Sequence, residues 1–208
     1  KEQEKWGVIE NPAEVDPRNI LEKVMNKFKG TGLNPVVAFE LEFYLLDKKR
    51  NKEGKPVPAL GASKTHVYGI PDLDMFGDLF NEINENCKIQ DIPATTASSE
   101  FAAGQYEINL KHTSDLLKAA DDAAMLRRII KETTAKHGFE ATFMAKPFLE
   151  ETGNGMHLHI SVYDDDGKNI FATKNRYGND KLKNALAGFQ ETFYAVSYTH
   201  LRAHETEA

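Results

Sequence analysis

A single cysteine among 208 residues, Cys87, rules out an internal disulfide framework and suits a reducing compartment. It falls on the apolar stripe of an expected helix, where a free thiol is more often packed than reactive. Tryptophan is equally scarce, with Trp6 alone in a polar N-terminal stretch. No apolar run reaches the roughly 18 residues that a membrane span needs, and no signal peptide opens the sequence. Basic residues are outnumbered as well: 26 Lys and Arg against 32 Asp and Glu give a net charge of -6. That balance argues against a general binder of nucleic acid or of anionic membranes, both of which need a basic excess. A protein of this charge that handles phosphate must supply positive charge locally, through metal ions or a few arginines. Internal repeats and low-complexity tracts are absent. The expectation is a cytoplasmic, soluble protein with neither a nucleic-acid nor a membrane partner, long enough for one substantial domain.

What is present begins with Val36 to Leu46, VVAFELEFYLL, an apolar run with two carboxylates inside it. Alternation along a strand puts Val37, Phe39, Leu41, Phe43 and Leu45 on one apolar face and Ala38, Glu40, Glu42 and Tyr44 on the other. Burying carboxylates costs several kcal/mol per ion unless something pairs with them, so Glu40 and Glu42 either face water or meet cations. Downstream segments carry Glu100, Glu107, His157 and His159 in matching patterns. In MHLHISVY, Met156, Leu158, Ile160 and Val162 face one way and His157, His159 and Ser161 the other. Two residues on one strand face lie about 7 Å apart, twice the rise per residue, so the histidines are expected to divide their work. One would ligate and one would meet substrate. Four carboxylates gathered without cations would repel, and their pKa values would rise. Oxygen-rich ligation with one imidazole suits Mg²⁺ or Mn²⁺, and carboxylates spaced this way can serve two different ions.

Around that strand, Asp16-Pro17 and the apolar set Ile20, Leu21, Val24 and Phe28 predict a helix over 17–29. Residues 55–60 are expected to return as a short strand. Leu73, Phe76, Leu79, Phe80, Ile83 and Cys87 predict an amphipathic helix over 73–87. Two extended pieces follow at 94–102 and 105–110. Then comes a long Ala-rich helix over 115–136, with Ser114 as its cap and His137-Gly138 at its end. Further strands are expected over 139–145 and 156–163, with a turn at 164–167 and 169–171 pairing back. Leu182, Ala185, Leu186, Phe189 and Phe193 mark a last helix. The fold class is α+β, a mixed, largely antiparallel curved sheet covered by helices on one side. Residues 1–15 read as a connector from a preceding domain and 16–195 as a partial catalytic domain. Residues 196–208 break the helical period and read as a non-native tail. Within that tail His200 and His204 have zinc-like i, i+4 spacing, but Leu201, Arg202 and Ala203 lie between them where the zinc motif needs a glutamate.

Four ordered motifs, AFELEFYLLD, SSEFAAGQYEINL, ATFMAKPF and GNGMHLHIS, resemble the catalytic domain of the glutamine synthetase family over nearly all of 15–195. GQYEINL and ATFMAKPF are most similar to the branch that joins glutamate to amines such as putrescine, the gamma-glutamylpolyamine synthetases. The resemblance implies that Glu42, Glu100 and Glu107 hold a first metal on the amine side. It implies that Glu40 and His157 hold a second, which bridges ATP and the glutamate gamma-carboxylate. His159 and Ser161 match positions that contact ATP, and Gly153 matches a loop glycine beside the glutamate substrate. Thr152 stands where glutamine-forming members usually carry Asn, which would alter any side-chain contact to substrate. The implied cofactors are two or more Mg²⁺ or Mn²⁺ ions, with ATP as co-substrate. The implied partners are glutamate, ammonia or an amine, and further copies of the chain at full length. The implied reaction proceeds through a gamma-glutamyl phosphate, with no catalytic side chain here beyond the metal and substrate ligands. A further metal glutamate and several arginines fall beyond the matching stretch, so the chain is expected to be a fragment, inactive alone, with an open sheet edge. Two other readings are a guanidino-type phosphotransferase of related fold and a metal-free scaffold or regulatory relative. The second predicts broken ligand positions, whereas Glu40, Glu42, Glu100, Glu107 and His157 are all present.

Overall fold

A computed structural model describes residues 16–59 and 68–200, the last eight and Asp72 by backbone only. The connector over 1–15, Trp6, Leu60 and residues 201–208 with His204 lie outside the described residues.

The carboxylate strand is the axis of the molecule. It spans Asn34–Asp47 (β1) and lies within a five-stranded antiparallel sheet. One edge of β1 pairs with Gln105–Leu110 (β3), which in turn pairs with Ala94–Ser99 (β2). Its other edge is shared, with Met156–Tyr163 (β5) along residues 34–41 and Phe139–Thr142 (β4) along 44–47. This sharing explains a correction. The strand expected over 139–145 stops at Thr142 because Gly155 takes the next place on β1, accepting from the Glu42 amide at 3.1 Å. Residues 143–145 leave the sheet and are held instead by Asn154, whose side chain donates to the Met144 carbonyl at 2.8 Å.

The apolar face of β1 carries the core. Leu41, Phe43 and Leu45 pack with Tyr106, Ile108 and Leu110 of β3 and with helices α3 (Gly77–Ile89) and α4 (Leu116–Lys136). Leu79, Ile83 and Cys87 come from α3, and Leu126, Ile129 and Ile130 from α4. Cys87 is 1% exposed, and burial pushes its thiol up to about 11, so it behaves as the packed residue its position predicts. Beyond the helices this face changes: Met156, Leu158 and Ile160 of β5 are 64%, 47% and 37% exposed.

Helix α1 spans Pro17–Phe28, with Asp16 accepting from the Arg18 amide as its cap. It leans on α4 through an Arg18–Asp121 pair at 3.2 Å. Four other expectations are corrected. The helix over 73–87 is two, α2 (Ile70–Met75) and α3, broken at Phe76, whose ring is buried edge-on against Tyr106 and Phe139. Packing that ring outweighs continuing the helix through Gly77, a poor helix former. Of the expected strand over 55–60, the described residues 55–59 make only the bridge Leu46 to Pro58, because Pro56 and Pro58 lack the N–H groups a ladder needs. Asn169–Phe171 does pair back as expected, through the bridge Tyr163 to Asn169 and the Ile170 amide donating to the Val162 carbonyl at 2.9 Å. The cap of α4 is Asp115, accepting from Lys118 N, rather than Ser114. The last helix, α5 (Asp180–His200), runs on past Ala195, where no glycine or proline stops it. No helix among the described residues is long and apolar enough to cross a membrane.

Candidate metal and substrate site

Sheet register assembles the polar face row by row. Glu40 lies opposite Asn109 on β3 and His157 on β5, and Glu42 lies opposite Glu107, which lies opposite Ser98 on β2. The next rows pair Ala38 with His159, Val36 with Ser161, and Tyr44 with Gln105. In-register antiparallel pairs share a face, so β1 residues meet partners 61 to 125 positions away in the chain without any loop carrying them.

The geometry is close. One oxygen each of Glu40 and Glu107 and one ring nitrogen of His157 all fall within 4.8 Å of one another. His157 Nδ1 is 3.3 Å from Glu40 Oε2, 3.8 Å from Glu42 Oε1 and 3.9 Å from Glu107 Oε2. His159 Nε2 is 2.9 Å from the other oxygen of Glu40. The two histidines therefore flank one carboxylate, and His112, past the end of β3, sets its ring 6.0 Å from that of His159. Among the described residues, no lysine or arginine pairs with these carboxylates.

Electrostatics follow from that crowding. Burial first, then Glu107 and Glu42, push the Glu100 carboxyl from its ordinary 4.5 up to about 7. Glu107 is raised as well, by burial and then by Glu40, with a hydrogen bond from Asn109 opposing. The residues fit a divalent cation: the donors are carboxylate oxygens with one imidazole, and among the described residues no lysine or arginine balances them. Asn109 Oδ1, buried without a hydrogen-bond partner, adds another oxygen in the Glu40 row.

A loop closes one side of this face. Gly155 N donates to Glu42 Oε2 at 2.9 Å, and a Cβ at Gly155 would come within 3.0 Å of Glu42 Oε1 and 3.1 Å of His157 Nε2. At Gly153 a Cβ would meet the Ala145 carbonyl at 2.6 Å, so only glycine fits. Thr152 turns inward, with its hydroxyl donating to Gln105 Oε1 at 2.6 Å and its carbonyl accepting from Tyr44 at 2.6 Å. Burial raises the Tyr44 phenol above its ordinary value and keeps it a donor. Tyr44, Gln105 and Asn154 were not among the expected site residues. Their signal lay in the alternation that placed Tyr44 beside Glu42, and Gln105 beside Glu107.

Comparison with known proteins supplies the family. The family model of the glutamine synthetase catalytic domain matches residues 14–201. The chain belongs to the glutamine synthetase family. It is 43% identical over 183 residues to the gamma-glutamylputrescine synthetase of Escherichia coli (strain K12), covering 85% of this chain and 39% of that protein. It is 37% identical over 186 residues to a glutamate–isopropylamine ligase from a Pseudomonas species, again covering 85% of this chain and 39% of that protein. The chain thus spans about two fifths of the length of these relatives. In fold it is similar to the Plasmodium falciparum glutamine synthetase, with a TM-score of 0.72 at 23% identity, over 87% of this chain and 41% of that one.

For this member of the glutamine synthetase family, the structure brings Glu40, Glu42, Glu100, Glu107 and His157 onto one face, with His159 in contact and Ser161 one row further along β5. The closest three-residue grouping, Glu40, Glu107 and His157, cuts across the two sets that the sequence resemblance implied. Glu100 supplies a pH test. Its carboxyl holds a proton more readily in the folded protein than in the unfolded chain, so it penalises folding progressively as pH rises from about 4.5 to about 7. Glu100→Gln is expected to stabilise the metal-free protein at pH 8 by on the order of 1 kcal/mol, solvent screening a partly exposed group, and by less at pH 5. Urea unfolding of both proteins at the two pH values measures it. A gain that is equal at both, or larger at pH 5, contradicts it.

Proposed function

We propose that the chain is part of an ATP-dependent ligase that forms a gamma-glutamyl amide from glutamate and an amine, putrescine-like amines in preference to ammonia. The observation that carries this reading is the convergence of Glu40, Glu107 and His157, from three strands, within 4.8 Å in a chain of this family. Glu40, Glu42, Glu100, Glu107 and His157 would hold Mg²⁺ or Mn²⁺, and a bound cation supplies charge neutralisation for the phosphoryl oxygens. In the reaction the glutamate gamma-carboxylate takes the terminal phosphoryl of ATP, releasing ADP, and the amine nitrogen then displaces phosphate from the acyl phosphate and gives up a proton. Little covalent work is left to side chains. Glu40 orients His157 and His159 through its two oxygens, and Ser161 and His159 stand along β5 where ATP would lie. The Thr152–Gly155 loop, drawn onto Glu42, would place its backbone beside the glutamate substrate. The preference for an amine rests on the names of the two relatives above and on Thr152, whose hydroxyl is engaged by Gln105.

The test is phosphate release by the full-length protein with ATP and glutamate, comparing putrescine, isopropylamine and ammonia. Release that needs glutamate and runs faster with putrescine than with ammonia is expected. Release indifferent to glutamate, or none with any amine, overturns the ligase reading. Ammonia exceeding both amines overturns the amine preference alone.

A further inference from the structure

Gln105 sits on β3 at 2% exposure, and its side-chain amide has five neighbours. Nε2 donates to the Gly153 carbonyl at 2.9 Å, to Glu42 Oε2 at 3.2 Å and to Asn154 Oδ1 at 3.2 Å. Oε1 accepts from the Thr152 hydroxyl at 2.6 Å and from the Ala102 amide at 3.3 Å. A primary amide has two N–H bonds and two lone pairs, so this side chain is saturated, with three acceptors sharing two hydrogens. Away from water, none of these contacts can be exchanged for solvent. Four of the five partners belong to the Thr152–Asn154 loop or to Glu42. Gly155 completes the ring by donating to the same oxygen, Glu42 Oε2, at 2.9 Å. Both donors therefore hold one oxygen of Glu42. The other, Oε1, is left turned to His157 at 3.8 Å.

We propose that Gln105 is a positioning residue that locks the Thr152–Gly155 loop to Glu42 and so presents Glu42 Oε1 to the cation, making loop order and cation binding interdependent. This rests on the cation reading above and adds a residue that touches neither the cation ligands' open side nor the substrates. Side chains behind ligands commonly carry ten- to hundredfold in metal affinity, because they fix which atom is offered. Coupling here is reciprocal: a cation that holds Glu42 stiffens the loop, and a loosened loop weakens the cation.

The experiment measures two things in the full-length protein: amide hydrogen exchange over 152–155 and over α4, and Mn²⁺ affinity from the electron paramagnetic resonance signal of the free ion. In Gln105→Ala the loop amides are expected to exchange at least about tenfold faster without metal, while α4 amides stay unchanged. Mn²⁺ affinity is expected to fall about tenfold, and added Mn²⁺ is expected no longer to protect the Gly155 amide. Thr152→Val, which removes one donor to Gln105 and leaves Glu42 alone, is expected to give the same pattern at reduced size. It also keeps the proposal testable should Gln105→Ala fail to fold. Equal loop exchange in parent and variants, or a loss of protection spread equally over α4, overturns the proposal. A parent protein that does not bind Mn²⁺ overturns the cation reading alone, and metal-free loop exchange then still decides the role of Gln105.

Discussion

Saturating Mn²⁺ is expected to raise the melting temperature of the protein by about 5–10 °C, and Glu107→Gln is expected to remove most of that rise. A ligand at one hundred times its dissociation constant stabilises the folded state by about 2.7 kcal/mol. In a protein of this size each kcal/mol moves the midpoint by roughly 2–4 °C. The choice of Glu107 follows from its place: it is 9% exposed, lies opposite Glu42 of β1 and shares the 4.8 Å grouping with Glu40 and His157. Its carboxyl is already raised by burial and by Glu40, so the metal-free fold carries a cost for its charge. Glu107→Gln therefore has effects of opposite sign in the two states. Without metal the variant is expected to melt higher than the parent at pH 8, and with metal lower. Differential scanning calorimetry with and without Mn²⁺ reads both. A rise that survives the substitution, or a variant destabilised equally in both states, would mean that Glu107 is an ordinary packed residue and that the cation sits elsewhere or not at all.

How far the site could be read from the sequence depends on the range of the interaction that made it. The alternation within β1 is local, and the two faces of Val37–Leu45 are where period-two reasoning puts them. The same local rule put Glu107 with Gln105 and Asn109, and His157 with His159 and Ser161. Which strands lie beside β1 is not local. That Glu40 faces His157 rather than Glu107 is a matter of register, and register is set by the whole sheet. The misreadings have the same origin. Residues 143–145 have a good strand pattern but lose their place on β1 to Gly155, 113 positions along the chain from Glu42, the β1 residue it bonds. Phe76 has helical spacing with Leu79 and Phe80, yet its ring finds Tyr106 and Phe139 and the helix gives way. Gln105 was visible as a polar residue in an inward pattern. Its five partners come from the Ala102 turn, β1 and the loop before β5, and no spacing in the chain announces them.

Neighbouring positions on β1 should therefore fail in different ways, and Phe43→Ala is the largest such effect, a loss of about 3–5 kcal/mol of folding stability. Phe43 is fully buried, with its ring 6.1 Å from that of Tyr106 and 5.5 Å from that of Phe143. Truncation leaves a cavity in the core cluster that Phe43 shares with Leu126 and Ile130, themselves buried without residual exposure. Against a typical total of 5–15 kcal/mol, a folded population remains at low denaturant. Glu42, one residue earlier, points to the opposite side, where its oxygens meet Gly155 N, Gln105 and His157. In urea titrations Phe43→Ala is expected to lower the midpoint sharply while keeping the parent's added stability on Mn²⁺ addition. Glu42→Gln is expected to keep the metal-free midpoint within about 1 kcal/mol of the parent and to lose the Mn²⁺ increment. The contrast separates a strand with one packed and one cation-binding face from a strand whose carboxylates merely sit at a polar surface. If both variants lose stability and the Mn²⁺ response together, the two faces of β1 are one cooperative unit, and the pleat does not divide folding from chemistry.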